Sequence, residues 1–149
     1  MKVSLDEYQK DPMYPKIVNA VAKILIQKDF VAPIELFKVL SLLEEMKIED
    51  WRFGRIPYLE KAIKCNLTKA SRILQIFRFH VHDLNMIPSS TVYKKYGKGP
   101  KVILRFSKTG EKNIEEAYTR HFLKNEKKKK PIKNIENQNE KFEEKDLTS

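Results

Sequence analysis

Cysteine, glycine and long apolar runs are scarce in this chain, and each scarcity removes a class of function. One cysteine, Cys65, in 149 residues leaves no partner for an intramolecular disulfide and no cysteine cluster for zinc. Four glycines supply no Gly-rich phosphate loop, and Gly97 and Gly99 read as turn residues. No apolar stretch approaches the ~20 residues that span a bilayer. Asp6 and Glu7 lie near the start with no long apolar run behind them, so no signal peptide is visible. The default compartment is the cytoplasm, with no membrane partner. Acid is nearly missing from one region. From Arg52 to Lys108 thirteen Lys/Arg face two acids, Glu60 and Asp83, whereas residues 1–51 carry seven against nine and residues 109–149 ten against nine. The middle third therefore carries +11, more than the chain's whole net charge of +10, and clustered positive charge attracts polyanions by releasing their counterions. A basic surface kept only for solubility is the plain alternative.

What is present suits one domain: 41% hydrophobic residues over this length can bury a core. The reading is a flexible arm over 1–14, one compact winged-helix-like domain over 15–123, and a disordered, Lys-, Glu- and Asn-rich tail over 124–149. Leu67, Ala70, Leu74, Phe77, Val81 and Leu84 recur at steps of three and four, which predicts a long helix with a narrow apolar stripe. Its other face carries Thr68, Ser71, Arg72, Gln75, Arg78 and His82. Thr68 is the expected N-cap, Asn85 closes the helix, and Pro88 lies beyond as a stop. Upstream, Pro15 opens a helix to about Lys28 whose wide apolar face predicts burial on several sides. Pro33 opens a short one. A third starts near Glu44, with Met46, Ile48 and Trp51 for the core and Gly54 as its left-handed stop. Pro57 opens another, with Leu59 and Ile63 inward. After Thr91 the period falls to two, predicting a basic hairpin turned by Gly97-Lys98-Gly99-Pro100, with Val102, Leu104 and Phe106 inward. A last helix is expected from about Glu111 to Leu123. The fold class is mainly α with a small β-hairpin, a helix-turn-helix followed by a wing.

Two resemblances accompany this reading. The words Trp51-Arg52-Phe53-Gly54-Arg55, Pro57-Tyr58-Leu59-Glu60, Leu104-Arg105-Phe106-Ser107-Lys108 and Glu116-Ala117-Tyr118 with His121 resemble a set of small uncharacterised bacterial proteins over roughly residues 30 to 123. That resemblance implies one compact domain and brings no activity with it. Element order and charge also resemble winged helix-turn-helix proteins. Many such motifs place a buried aliphatic five positions after the apolar turn residue, here Leu67, and this chain has Arg72 there. The crossing of the two helices is therefore expected to depart from the usual one.

Nucleic-acid binding needs base-edge contacts for sequence and phosphate contacts for position. Lys69, Arg72 and Gln75, in the first two turns of the long helix, are the base-contact candidates, because Arg can pair a guanine edge and Gln an adenine edge. Thr68, Ser71, Arg52 and Arg55, with Lys94, Lys95, Lys98, Lys101 and Arg105 of the hairpin, are the phosphate candidates. Arg52 and Arg55 equally complement a helix dipole. Phe79 sits among polar residues, so it stacks on a base, packs on a partner chain, or is covered by the first helix or the arm. His80 and His82, two apart, point to different sides of a helix, and His121 has no companion at ligand spacing. No catalytic group, metal site or cofactor is assigned. The expected function is nucleic-acid binding, DNA before RNA, by a small regulator that could pair as a homodimer. The alternative is a protein–protein adaptor or structural protein using the acidic N-terminal third with Val31, Phe37 and Val39. A small nuclease working with Arg, His and Lys on the basic face is the third.

Overall fold

Seven side chains on one helix set the layout of this computed structural model, which describes residues 4–125. Helix α4 (Leu67–Asp83) buries Ala70, Ile73, Leu74, Ile76, Phe77, His80 and Val81. The narrow stripe expected through Leu67 and Leu84 is corrected: both are exposed, and Ile73, Ile76 and His80 enter the core instead. About half the circumference of α4 is therefore interior, which is wider than a two-layer seam needs. Its N-cap is Asn66 and not Thr68. The Asn66 backbone is extended, and its side-chain oxygen accepts a hydrogen bond from the Lys69 N–H at 2.8 Å. At the other end Asn85 takes a left-handed φ of 61°, letting the Asn85 and Met86 N–H groups reach the His82 and Val81 carbonyls.

Helix α1 (Tyr14–Gln27) packs on α4 with Ile17, Ala20, Val21 and Ile24. It is buried on one face only, since Ile26 is 82% exposed. Helix α2 (Pro33–Val39) follows at once and buries Ile34, Leu36 and Phe37. Helix α3 (Glu45–Arg52) buries Ile48 and Trp51 but leaves Met46 in solvent. It ends as its sequence predicts, at Gly54 with φ +78°, where the Gly54 and Arg55 N–H groups bond the Trp51 and Asp50 carbonyls. The segment before α4 is a single 3-10 turn, Leu59–Ala62, and not a helix opened by Pro57. It is pinned by its own backbone: the Leu59 and Glu60 N–H groups donate to the carbonyls of Arg105 and Phe106.

The sheet is the largest departure from the sequence reading. Strands β1 (Phe30–Val31), β2 (Ile87–Ser89) and β3 (His121–Leu123) form an antiparallel sheet in the order β1-β3-β2. The expected last helix stops early: α5 spans Lys112–Thr119, and the chain then becomes the central strand, setting Phe122 between Val31 and Pro88. The basic hairpin is held by one bridge, Lys94 to Ile103, with N–H···O bonds from Lys95 to Val102 and from Leu104 to Tyr93. Phe106 is fully buried, whereas Val102, expected inward, is 52% exposed.

The Phe106 ring stacks on Tyr118 at 5.1 Å and tilts against Trp51 at 4.8 Å, and the Trp51 indole N–H donates to the Arg105 carbonyl at 2.8 Å. These contacts fasten the end of the hairpin to the core. The N-terminal segment is no loose arm over its described part: Tyr8, in a 3-10 turn at Tyr8–Lys10, and Met13 are both buried. Val31 and Phe37, weighed above as partner surface, are core residues. The tail expected to be disordered lies, from residue 126 on, outside the described residues, as do residues 1–3. No helix among the described residues is long and apolar enough to cross a membrane.

Candidate nucleic-acid interface

The basic residues fall into two groups with different surroundings. The first gathers where the end of α3 meets the hairpin. The Arg52 guanidinium lies 4.0 Å from the Tyr96 ring centre and 5.2 Å from that of Tyr93, and the Tyr96 N–H donates to the Arg52 carbonyl. Phe53 meets Tyr96 edge to face, and Arg55 lies over Phe53 at 5.0 Å. Gly54 leaves room for the Lys95 stem, which a Cβ would meet at 2.9 Å. Arginine on an aromatic face gains cation–π attraction without losing its charge. Arg52 and Arg55 are thus held by rings, and Arg55 also pairs with Asp50 at 3.0 Å.

Lys94, Lys95, Lys98, Lys101, Arg105 and Lys108 pair with no carboxylate among the described residues. Phe53 and Tyr96, 37% and 47% exposed, were not singled out from the sequence as site residues. The signal was there in the interleaving of Arg and aromatics at 51–55, but only the hairpin's return brings Tyr96 to it.

The second group lies on α4. Thr68 and Ser71 are exposed, and Gln75, half-buried, donates from its amide to the Ser71 hydroxyl at 3.2 Å. Arg78 is exposed beside them on the same ridge. Arg72 is not. It sits toward the N-terminal segment, its Nε 3.2 Å from the Asp11 carboxylate in an ion pair without hydrogen-bond alignment. The first role expected of Arg72, a free base-reading side chain, is therefore corrected: Asp11 already holds it. Lys69 is half-buried beside the helix start. Phe79 is covered by the N-terminal segment, its ring 5.3 Å from that of Tyr8.

The ridge faces a cleft of about 870 Å³ whose opposite wall is α5 and the Ser107–Thr109 loop. One carboxylate shapes that loop. Glu115 accepts hydrogen bonds from the Phe106 and Ser107 N–H groups and from the Ser107 hydroxyl, all at 2.7–3.2 Å. The Gly110 N–H then closes the loop onto the Ser107 hydroxyl. Across the cleft the Tyr118 hydroxyl donates to Glu60 at 2.8 Å, and burial followed by that carboxylate pushes its pKa well up.

The three histidines have separate fates. His80 is buried beside Tyr14, its Nδ1 without a hydrogen-bond partner among the described residues, and burial lowers its pKa. His121 stacks on Phe30 and shares a 2.8 Å hydrogen bond with the Tyr93 hydroxyl; burial lowers its pKa too and pushes Tyr93 up to about 12. His82 is exposed. Cys65 is half-buried and its thiol is pushed up by burial, which makes it a poor nucleophile. Among the described residues no group of three His, Cys, Asp or Glu could hold a metal ion.

What these observations define is a mainly α protein with a small three-stranded antiparallel sheet and a basic, aromatic-backed hairpin. No family model, no curated protein and no solved structure matches the chain. The functional reading therefore rests on its own residues.

Proposed function

We propose that this chain binds nucleic acid, duplex DNA before RNA, as a small regulator of the winged helix-turn-helix kind. The hairpin would act as the wing and the outer ridge of α4 as the reading helix. One observation carries the proposal: all six cations from Lys94 to Lys108 are without a carboxylate partner among the described residues, whereas three of the other seven in the basic third, Arg55, Lys64 and Arg72, are each paired with an acid. Clustered positive charge without nearby acid is what a phosphate backbone neutralises. The strand order, with the last strand between the first and second, and a long helix running directly into β2 support the winged reading. The base-contact set in this proposal is Gln75 with Lys69 and Arg78, flanked by Thr68 and Ser71. Phosphate contacts come from Lys94, Lys95, Lys98, Lys101 and Arg105, with Arg52 and Arg55 behind them.

The test is fluorescence anisotropy on a random-sequence duplex across a salt series. Each phosphate neutralised contributes a log–log slope of about −0.9, so five hairpin contacts would give about −4.5. Changing Lys95→Gln and Lys98→Gln together should shrink the slope by about 1.8 and weaken all sequences alike. No binding at low salt, or a slope untouched by the double change, overturns the proposal.

A further inference from the structure

The cleft between α4 and α5 shares Ser71, Gln75 and Arg78 with the nucleic-acid reading, but its apolar floor and its far wall play no part in that reading. Its volume, about 870 Å³, lies in the range of small-molecule sites. Its floor is apolar, with Leu74 and Phe77 from α4, Ile114, Ala117 and Tyr118 from α5, and Phe122 from β3. Three cations, Arg78, Lys108 and Arg120, also line it, and none of them pairs with a carboxylate among the described residues. Of the two acids lining it among the described residues, Glu60 is engaged by the Tyr118 hydroxyl, leaving Glu116 as the open carboxylate there. Apolar floor and surplus positive charge together specify one chemistry: a hydrocarbon or ring body ending in an anion.

We propose that this cleft binds a small amphipathic carboxylate. Its apolar body lies against Leu74, Ile114 and Ala117, and its carboxylate is held by Arg78 and Arg120. Charge-assisted hydrogen bonds from guanidinium groups fix the anionic end, and burial of the body supplies the remaining affinity. The inference gains a consequence where the nucleic-acid reading holds, and on that point it rests on that reading. Ser71, Gln75 and Arg78 line the cleft as well as the ridge, so a bound carboxylate and a duplex would compete for them. By linkage each would weaken the other by the same factor.

The experiment uses the full chain with decanoate as ligand, followed by titration calorimetry, and decanol as the uncharged control. Decanoate is expected to bind at one site, and decanol about tenfold or more weaker. Ala117→Trp, which places an indole in the cleft from an exposed position on α5, should abolish binding while circular dichroism and melting temperature stay unchanged. Arg120→Gln should weaken binding about tenfold without filling the cleft. Decanol binding as tightly as decanoate, binding that survives Ala117→Trp in the folded variant, or no binding of decanoate at all overturns the inference. The two readings separate cleanly. Decanoate binding without DNA binding keeps the cleft and sinks the nucleic-acid reading, and DNA binding without decanoate binding does the reverse.

Discussion

The sharpest structural prediction concerns Glu115, because one carboxylate organises the loop that joins the hairpin to α5. It accepts from two backbone N–H groups, on Phe106 and Ser107, that are 0% and 1% exposed as residues. Replacing Glu115→Ala leaves both donors without a partner in a place that protein atoms shield from water. An unsatisfied buried polar group costs about 1–3 kcal/mol, so two cost about 3 kcal/mol once partial hydration from the cleft side is allowed for. The Ser107 hydroxyl loses its acceptor as well, and with it the orientation that receives the Gly110 N–H. For a domain of this size the loss corresponds to a fall in Tm of about 10 °C.

Urea unfolding followed by tryptophan fluorescence reads the change directly, since Trp51 packs against Phe106. Glu115→Gln keeps one accepting oxygen and should cost about half as much. Glu116→Ala, next in sequence but exposed, should stay within about 0.5 kcal/mol of the parent. A Glu115→Ala midpoint equal to that of Glu116→Ala would show that the loop holds itself and that the reasoning is wrong.

Two further predictions concern the helix start and the response to pH. Asn66→Ala should cost about 1 kcal/mol in urea unfolding and Thr68→Ala much less, the reverse of what the sequence suggests; equal losses would contradict the assigned cap. His80 and His121 both have pKa values lowered by burial, so the folded state prefers their neutral rings. That contribution to stability is fully present above the unfolded value of about 6.5 and is lost as pH falls below it. Tyr93, raised to about 12, acts at the opposite end: its contribution is intact below about pH 10 and lost as pH rises from there to about 12. Urea midpoints measured across pH should therefore fall on both sides, and a flat acid limb would show that neither imidazole is held neutral by folding.

Much of the helical layout was legible because helices announce themselves locally. The apolar spacing around Leu74 and Phe77, the prolines at 15 and 33, and Gly54 act through a single turn of backbone, so a linear reading finds α1, α2, α3 and α4. The sheet was not legible, because strands of two or three residues have no period to detect. Phe122 reads as the next apolar position of a helix until Val31 and Pro88 are set beside it. The N-cap failed for a related reason: Asn66 and Thr68 are both good caps, and which one serves depends on where the preceding 3-10 turn delivers the chain.

The candidate site divides along the same line. Sequence alone determined that positive charge is concentrated between Arg52 and Lys108 and that the hairpin holds no acid, because charge count and alternation do not depend on distant contacts. Only the tertiary structure decided which of those charges are spoken for. Arg72 is held by Asp11, 61 residues earlier by their numbering, and Arg52 by rings from the hairpin, while the α4 ridge is paired with α5 across a cleft. Pairing, stacking and cavity formation are properties of residues brought together from far apart in the chain, and no local pattern encodes which distant partner arrives.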